Sequence, residues 1–469
     1  MKKHVFVYFF LLIASWLLFT SCKKDSFINT ADARLTITTD TLKYDTVFTT
    51  TGSVTKFFKI INENNQRLRL SKVKLMGGAG SAFKMNVNGA NSNEINNLDI
   101  DADDSIYVFV SVIINPNATN LPFIVSDSIL INYNGNTRYV QLQAFGQNAN
   151  FLRNNVITGN VVWTNNLPYV ILGSLRIDTT ATLTIQAGSR IYSHADAPFI
   201  VDGTLTVNGT HAGPVVFTGD RLDDVYKDLP ASWPGIYFRG ASKNNVLRYA
   251  VVKNAYQAIV TEKPSVNANP KVVLHQCIVD NAYDAGVLCV NSSLQADNSL
   301  ISNCGVNIFL SYGGDYNFTH CTVATYSNLY IVHKNPVLSV DDFAFQNGTL
   351  VTANLNAVFR NSIFWGDAGF VNNEVMVSKQ GNNIFNVLFE NNIYRALNDP
   401  GNSTLTANIK NQDPSFDSID VSKRIFNFKI TNNATAPGIN KGALTGFPLD
   451  LDDMNRNNGL PDLGCYEKQ

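Results

Sequence analysis

Acidic and aromatic residues are concentrated in one short segment of the chain, Asp220–Trp233. Its carboxylates are Asp220, Asp223, Asp224 and Asp228, and its aromatic side chains are Tyr226 and Trp233. Carboxylate oxygens are the ligands that Ca²⁺ prefers, and an exposed indole can stack on a sugar ring. The segment is therefore the strongest candidate for a ligand-binding loop, with Ca²⁺ as its candidate cofactor. The alternative is structural: Arg221 and Lys227 pair with the carboxylates, and Trp233 fixes the loop against the body of the protein.

A second acidic segment, Asp450–Gly459, comes close to a calcium-binding loop. Loops of the pattern Asp-x-Asp/Asn-x-Asp/Asn-Gly need glycine at the sixth position, where the chain turns sharply. Counted from Asp453, that position holds Asn458, and no glutamate follows at the twelfth. The sequence favours a solvated turn in a C-terminal cap over a metal site.

The histidines after residue 22 are His194, His211, His275, His320 and His333. His275 and His320 lie two positions and one position before Cys277 and Cys321, which recur at equivalent places in the repeat described below. Strand alternation then puts the two imidazoles on different faces. We predict surface or turn histidines with satisfied hydrogen bonds rather than a shared metal site or dyad.

Motifs of several enzyme classes are missing from the chain. The sequence contains no Gly-x-Ser-x-Gly, His-Glu-x-x-His, phosphate loop or dinucleotide fingerprint. The 36 basic and 37 acidic residues nearly balance, which argues against a nucleic-acid partner. The sequence leans away from catalysis without deciding the question.

Short apolar strands recur in the second half of the chain, with best-matched steps of about 22 to 27 residues. The repeated strands begin at Ala250, Cys277, Ser299, Cys321, Ser362 and Asn392. A repeat of this length with one such strand indicates a solenoid. We predict an all-β chain with a right-handed parallel β-helix over residues 150–430.

Successive coils of a β-helix stack about 4.8 Å apart, so equivalent residues form columns. Small inward side chains are predicted to form one column: Cys277, Ser299 and Cys321. Asparagines that tolerate positive φ and bond coil to coil are predicted at one turn: Asn254, Asn281 and Asn303. The cysteines after Cys22 are odd in number and form no Cys-x-x-Cys pair, so buried free thiols are expected.

Residues 34–149 show short alternating strands that indicate an antiparallel β-sandwich. The expected strands include Arg34–Thr38, Ser53–Ile61, Leu68–Leu70, Ile106–Ile114, Ser128–Tyr133 and Arg138–Ala144. The order of Lys56–Asn62, Ile100–Ile106 and Val110–Pro116 resembles immunoglobulin-like modules of bacterial surface proteins. That resemblance implies a spacer.

Two segments resemble β-helix lipoproteins of Bacteroidetes. One runs from Phe217 through the acidic loop to Ile236, and the other is the tail, Pro437–Gly442 with Asp462–Glu467. The family tail reads Asp-Ile-Gly-Ala-Tyr-Glu, so Cys465 replaces alanine, and a glycine expected in the preceding Asp-rich turn is missing. The resemblance implies fold and location more than an activity.

The catalytic marks of related β-helix enzymes are incomplete. Polygalacturonase-like enzymes carry Asn-x-Asp, Asp-Asp, Gly-His-Gly and Arg-x-Lys on successive coils. Here Gly-His-Gly is missing, and Asp223-Asp224 lacks those companions. Pectate-lyase-like sites need an acidic calcium cluster with an Arg or Lys base across a groove, and only the Asp220–Trp233 segment comes near.

The first residues predict export. Lys2 and Lys3 precede an apolar run of about 15 residues, Val5–Phe19, which suits a signal peptide better than a membrane span. Ser21 before Cys22 resembles a bacterial lipoprotein signal, which implies cleavage after residue 21 and acylation of Cys22, palmitate included. A plain secretory peptide is the alternative.

The predicted organisation is a signal peptide (1–21), a lipidated tether (22–33), an immunoglobulin-like sandwich (34–149), the β-helix (150–430) and a C-terminal cap (431–469). The predicted function is non-catalytic binding of polysaccharide or another surface ligand by an outer-membrane lipoprotein. Its expected partners are the membrane, through the lipid anchor, and polysaccharide. A β-helix polysaccharide lyase or glycoside hydrolase and a structural envelope protein remain alternatives.

Overall fold

The computed structural model describes residues 26–117, 119, 122–224, 226–367, 369–430, 433–456 and 459–468. The predicted signal peptide and Cys22 lie outside the described residues. The chain divides into two compact units, one ending at Asn148 and one beginning at Ala149. In the described part of the chain, no helix is long and apolar enough to cross a membrane.

The described residues of the first unit form eleven strands and one short 3₁₀ turn, Gly78–Gly80. The strands are β1 (Phe27–Ile28), β2 (Leu35–Ile37), β3 (Thr41–Phe48), β4 (Lys56–Asn62), β5 (Arg67–Leu75), β6 (Phe83–Val87), β7 (Ala90–Asn91), β8 (Glu94–Ile100), β9 (Ser105–Val112), β10 (Phe123–Tyr133) and β11 (Asn136–Gln147).

These strands form two sheets around one core, as predicted. A six-stranded sheet has the order β1-β5-β10-β11-β3 with β8 beside β5, and a five-stranded sheet has the order β2-β4-β9-β6-β7. Alternate side chains of β4 and β9, such as Phe58 and Val108, are fully buried between them. The sandwich is confirmed, although the sequence missed β1, which lies in the predicted tether, and β3, β6, β7 and β8.

In the part of the second unit that the structure describes, there are thirty strands. They are β12 (Asn150–Ile157), β13 (Asn160–Trp163), β14 (Tyr169–Ile177), β15 (Thr182–Gln186), β16 (Arg190–Ser193), β17 (Phe199–Val201), β18 (Thr204–Asn208), β19 (Val215–Gly219), β20 (Ile236–Phe238), β21 (Asn245–Arg248), β22 (Ala250–Lys253), β23 (Gln257–Glu262), β24 (Val272–His275), β25 (Ile278–Asp280), β26 (Ala285–Asp297), β27 (Leu300–Ser302), β28 (Val306–Thr319), β29 (Thr322–Thr325), β30 (Leu338–Asp341), β31 (Phe343–Gln346), β32 (Thr349–Thr352), β33 (Leu355–Arg360), β34 (Ile363–Gly366), β35 (Val375–Ser378), β36 (Phe385–Glu390), β37 (Ile393–Tyr394), β38 (Thr404–Thr406), β39 (Ile409–Lys410), β40 (Ser418–Asp420) and β41 (Ile425–Asn427).

Twenty-six of these strands join in one parallel ladder that winds through three faces of a β-helix. Sheet A contains β13, β15, β18, β21, β24, the second halves of β26 and β28, β33, β36 and β38. Sheet B contains the first halves of β12 and β14, then β16, β19, β22, β25, β27, β29, β34, β37 and β39. Sheet C contains the second halves of β12 and β14, β17, β20, β23, the first halves of β26 and β28, β30 and β35. The predicted parallel β-helix is therefore confirmed.

The predicted column of small side chains lies at the start of sheet B. The register pairs Ile278 with Leu300 and Leu300 with Thr322, so the preceding residues Cys277, Ser299 and Cys321 are stacked. The Ser299 hydroxyl accepts a hydrogen bond from the Cys277 backbone N–H at 3.1 Å. This side chain replaces a backbone acceptor that the turn removes, so the small polar residue has a structural reason.

The predicted asparagine turn is also confirmed. Asn254, Asn281 and Asn303 have φ values of 64°, 58° and 50°, the left-handed region that asparagine tolerates. The Asn281 amide donates to the Asn254 Oδ1 atom at 2.8 Å, so the turns are bonded from coil to coil. The five described cysteines are buried and free, as expected.

The C-terminal segment, residues 413–468, lies along sheet B. Its hairpin (β40 and β41) and the residues that follow pack on outward side chains of that sheet, including Leu300, Ile363 and Ile393. Its hydrogen bonds reach several coils: the Gly464 N–H donates to the Asn361 carbonyl at 2.8 Å. The predicted end cap is thus a strap along the side, because the outward residues of sheet B are apolar and need cover.

Candidate functional site

An open groove of about 600 Å³ lies on the outer face of sheet A. Its floor is the outward side chains of three consecutive coils, and one wall is the Pro264–Pro270 loop. The described lining residues are Pro264, Ser265, Asn267, Ala268, Asn269, Pro270, Asn291, Ser292, Ser293, Leu294, Gln295, Gly314, Asp315, Tyr316, Asn317, Asn354, Leu355, Asn356, Val358 and Ile384. Eleven of these twenty residues carry an amide or hydroxyl side chain.

The coil register aligns the groove floor. Gln295 pairs with Asn317, and Asn317 pairs with Val358 on the next strand, so these side chains form one outward column. Asp315 pairs with Asn356 in the adjacent column, and the Asn356 amide donates to the Asp315 Oδ1 atom at 2.8 Å. Polar groups therefore repeat at the strand spacing of about 4.8 Å, which suits an extended ligand.

A buried lysine fixes the base of the loop wall. The Lys271 ammonium donates to the backbone carbonyls of Arg239, Gly240 and Glu262 at 3.2, 3.0 and 2.8 Å. Burial lowers the pKa of Lys271 to about 8. Because three backbone acceptors hold the ammonium, Lys271 supports the loop rather than contacting a ligand.

Two asparagines hold the tip of the same loop. The Asn267 and Asn269 amides each donate to the Asn244 Oδ1 atom at 3.0 Å. The wall is therefore ordered before any ligand binds, which lowers the entropic cost of binding.

The groove carries little charge. Among its described lining residues, Asp315 is the single carboxylate, and none is Lys, Arg or His. Burial raises the pKa of the Tyr316 phenol, which donates to the Gly313 carbonyl at 2.9 Å. Most glycoside hydrolases use a pair of carboxylates, of which the described lining supplies one.

The acidic loop predicted from the sequence lies elsewhere, after β19. Each of its four carboxylates has a basic partner. The pairs are Asp220 with His194 at 2.7 Å, Asp223 with Arg221 at 3.0 Å, Asp224 with Lys227 at 2.7 Å and Asp228 with Arg424 at 3.9 Å. In the described residues, no group of three or more His, Cys, Asp or Glu is placed to hold a metal ion.

The aromatic half of that prediction is wrong for Trp233. Its side chain is 1% exposed, and its indole N–H donates to the Lys253 carbonyl at 2.9 Å, so it packs in the core. Tyr226 is 40% exposed, and the Arg221 guanidinium lies 3.9 Å from its ring centre. Exposed tyrosines stand nearby instead: the rings of Tyr256 and Tyr283 are 6.0 Å apart. The local sequence did not show which aromatic side chain points inward.

The prediction of surface or turn histidines is wrong for His333. Its imidazole is buried, with Nδ1 2.7 Å from Asp367 and Nε2 3.1 Å from Glu374. Arg395 binds the other Glu374 oxygen at 2.6 Å. Burial opposes the charged imidazole, but the hydrogen bonds and charges of Glu374 and Asp367 outweigh it and raise the pKa of His333. The cluster is an internal ionic network.

The two histidines near the repeat columns are separated, as predicted. His320 occupies a turn with φ 53°, where it is buried and its Nε2 lies 3.1 Å from the Thr445 hydroxyl. Burial lowers its pKa well below the usual value. His275 points outward from sheet A and pairs with Asp297 at 2.5 Å.

The groove residues were not found from the sequence. Gln295, Asn317 and Asn356 come from three coils, and each looks like an ordinary solvated residue in its own strand. Only the coil register brings them together, and it depends on insertions such as the β31–β32 hairpin.

The fold is that of a parallel β-helix protein, and one family model agrees with it. Residues 155–261 match the family described as pectate-lyase like beta helix domain. A β-helix of this kind is consistent with a carbohydrate-related function. The search of curated proteins gave no match.

Two solved structures give distant likenesses. One is a family 123 glycoside hydrolase from Clostridium perfringens, at 10% identity over 27% of this chain and 26% of that chain, with a TM-score of 0.18. The other is the ASH/PapD-like domain of human CEP192, at 10% identity over 27% of this chain and 92% of that chain, also with a TM-score of 0.18. The chain spans about a quarter of the hydrolase.

Proposed function

We propose that this protein binds polysaccharide without cleaving it, through the sheet A groove. The observation that carries the proposal is the lining: ordered amides and hydroxyls from three stacked coils, with one carboxylate. Side-chain amides both donate and accept hydrogen bonds, as sugar hydroxyls do. The repeat of the floor supplies several equivalent contacts along an extended chain.

A glycan array with the purified protein identifies the ligand, and product analysis detects any cleavage. Asn317→Ala removes an exposed amide from the floor and is expected to weaken binding about tenfold, the loss of about 1.4 kcal/mol. Thr206→Ala is the matched control, because Thr206 faces outward on sheet A outside the groove lining. Equal affinity of the two variants would remove the groove from the proposal.

We also propose that the protein is lipid-anchored at Cys22 and faces the cell surface in the outer membrane. The support is the sequence alone: a short apolar leader with Ser21 before Cys22. Labelling with radioactive palmitate tests the anchor. Cys22→Ser is expected to abolish the label and to release the protein from membranes, whereas unchanged labelling would exclude Cys22 as the site.

Polysaccharide cleavage is a second candidate function, favoured by the outward pair His275–Asp297. Asp297 binds the His275 Nδ1 atom at 2.5 Å, which orients the ring as a general base requires. On sheet A, Asp297 follows Gln295 by two residues on the same strand, β26, and His275 is its register partner on the preceding coil. Release of unsaturated uronates that His275→Ala abolishes would establish this function; binding with no product in either protein would exclude it.

A further inference from the structure

The two sheets of the N-terminal sandwich carry different outer faces. On the six-stranded sheet, outward side chains pair their charges, as in Arg69–Asp99 at 2.6 Å. On the five-stranded sheet, Phe57, Tyr107 and Phe109 point outward and are 52%, 37% and 38% exposed. These three rings are called the aromatic platform.

The platform is continuous across the two neighbouring strands β4 and β9. Phe57 stands opposite Phe109, and its ring centre lies 5.9 Å from that of Phe109 and 5.4 Å from that of Tyr107. The rings of Tyr107 and Phe109 are 5.7 Å apart and nearly parallel, at 10°. The three side chains therefore form one surface.

Packing of the sandwich core does not explain why the platform rings point outward. Phe58, Val108 and Val110 alternate with them along the same strands and are fully buried in the sandwich. Single exposed apolar residues are ordinary, but three in contact at the centre of a sheet mark a binding surface. If the first unit were only a spacer, the outward positions of these strands would be expected to carry polar residues.

Charge on the same sheet indicates the ligand. Its outer face carries Lys59 and Lys84, and its five strands contain no Asp or Glu. Lys56 alternates to the other side, where its ammonium donates to the Lys43 carbonyl at 2.6 Å. The Lys59 ammonium lies 4.7 Å from the Tyr107 ring centre, and Lys84 stands opposite Ser111 beside the platform. Aromatic faces contact the C–H faces of sugar rings, and ammonium groups attract carboxylates.

We propose that the aromatic platform binds an acidic, uronate-containing polysaccharide. The first unit is then a second binding module and not only a spacer. This inference is independent of the groove in the second unit, because different residues carry it.

Equilibrium binding of the whole protein to polygalacturonate tests the proposal, with the fully methyl-esterified polymer as the uncharged probe. The triple variant Phe57→Ala/Tyr107→Ala/Phe109→Ala is expected to bind polygalacturonate at least about tenfold more weakly. Tyr139→Ala is the matched control, since Tyr139 is 48% exposed on the six-stranded sheet. Binding of the triple variant and of the Tyr139→Ala control is also measured on an Asn317→Ala background, so that loss of binding at the groove is not confused with loss at the platform.

A second variant tests the charge without removing the rings. Lys59→Gln/Lys84→Gln is expected to lose the preference for the charged polymer and its dependence on salt. If the triple variant loses its native circular dichroism spectrum, the lysine variant still tests the proposal. An unchanged affinity of the folded triple variant, an unchanged charge preference of the lysine variant, or no binding of either polymer by the native protein would overturn the proposal.

Discussion

Sheets A and B of the β-helix are built on the same backbone ladder but have opposite outer surfaces. The outward column of sheet B includes Leu300, Ile363 and Ile393, which the C-terminal segment buries. The outward column of sheet A includes Gln295 and Asn317, which line an open groove. The backbone gives every face the same hydrogen bonds, so the outward side chains alone decide which face is covered.

The comparison explains how one solenoid can be both stable and available to a ligand. Covering sheet B adds apolar burial outside the core, at roughly 25 cal/mol for each Å² removed from water. Leaving sheet A open keeps amides and hydroxyls free for a partner. The sharpest tests therefore change one face and compare it with the other.

The largest loss of folding stability is expected from removing Arg456, a charged residue that holds the strap to the β-helix. Arg456 is buried and pairs with Glu467 at 2.9 Å, while its Nε donates to Asn298 on the β-helix at 3.0 Å. Removing one partner of a buried ion pair leaves the other charge unpaired, so Arg456→Ala should cost about 3–5 kcal/mol. Urea unfolding measures the loss, and limited proteolysis should cut the strap first.

The control for this variant is an exposed pair on the same unit. Arg176 lies 3.5 Å from Asp178, and both side chains are more than a third exposed. Arg176→Ala should therefore change the free energy of unfolding by less than about 1 kcal/mol. Similar losses for the two arginine variants would show that the strap adds little stability.

A smaller effect is expected from the apolar contacts between strap and sheet. Ile393 points outward from sheet B yet is fully buried, so Ile393→Ala should cost about 2–4 kcal/mol. Val246 points outward from sheet A and is only partly buried, so Val246→Ala should cost less than about 1 kcal/mol. Chemical denaturation compares them, and equal costs would break the distinction between the faces.

The corner between sheets B and C is held by the pairs of His333 with Asp367 and Glu374, so the free energy of unfolding should depend on pH. The pKa of His333 is raised by Glu374 and Asp367, so its stabilisation is complete below the unfolded value of about 6.5 and is lost as pH rises through the folded value. His333→Gln should remove this decline from a series of unfolding curves. His211→Gln, at an exposed site, should retain it; a native protein with no decline would contradict the assignment.

The features that recur at a fixed place in each coil could be predicted from the sequence. The groove, which brings together residues far apart in the chain, could not. The stacking of Cys277 on Ser299 and the asparagine turns were predicted because a column needs only a recurring residue at a fixed place. The groove was missed because loop lengths between coils set its register. Those lengths follow no local rule.

The strap did leave a signal in the sequence. Leu300-Ile301 and Ile363-Phe364 are apolar at consecutive positions, which is typical of strands buried on both faces. That pattern predicts a cover on sheet B, although it does not say which segment supplies it. The burial of Trp233 had no such signal, because the loop around it has no alternation to show its direction.

The smallest change in stability is expected from adding Ca²⁺, which the sequence offered as a candidate cofactor of the Asp220–Trp233 loop. A ligand that binds only the folded state raises its stability, so calcium binding should raise the melting temperature. Asp223 and Asp224 already pair with Arg221 and Lys227, so we expect the melting temperature to be the same within about 1 °C in excess Ca²⁺ and in a chelator. A calcium-dependent rise that Asp223→Asn/Asp224→Asn abolishes would restore the metal site, and the loop would then join the groove as a place where this protein leaves polar groups free for a ligand.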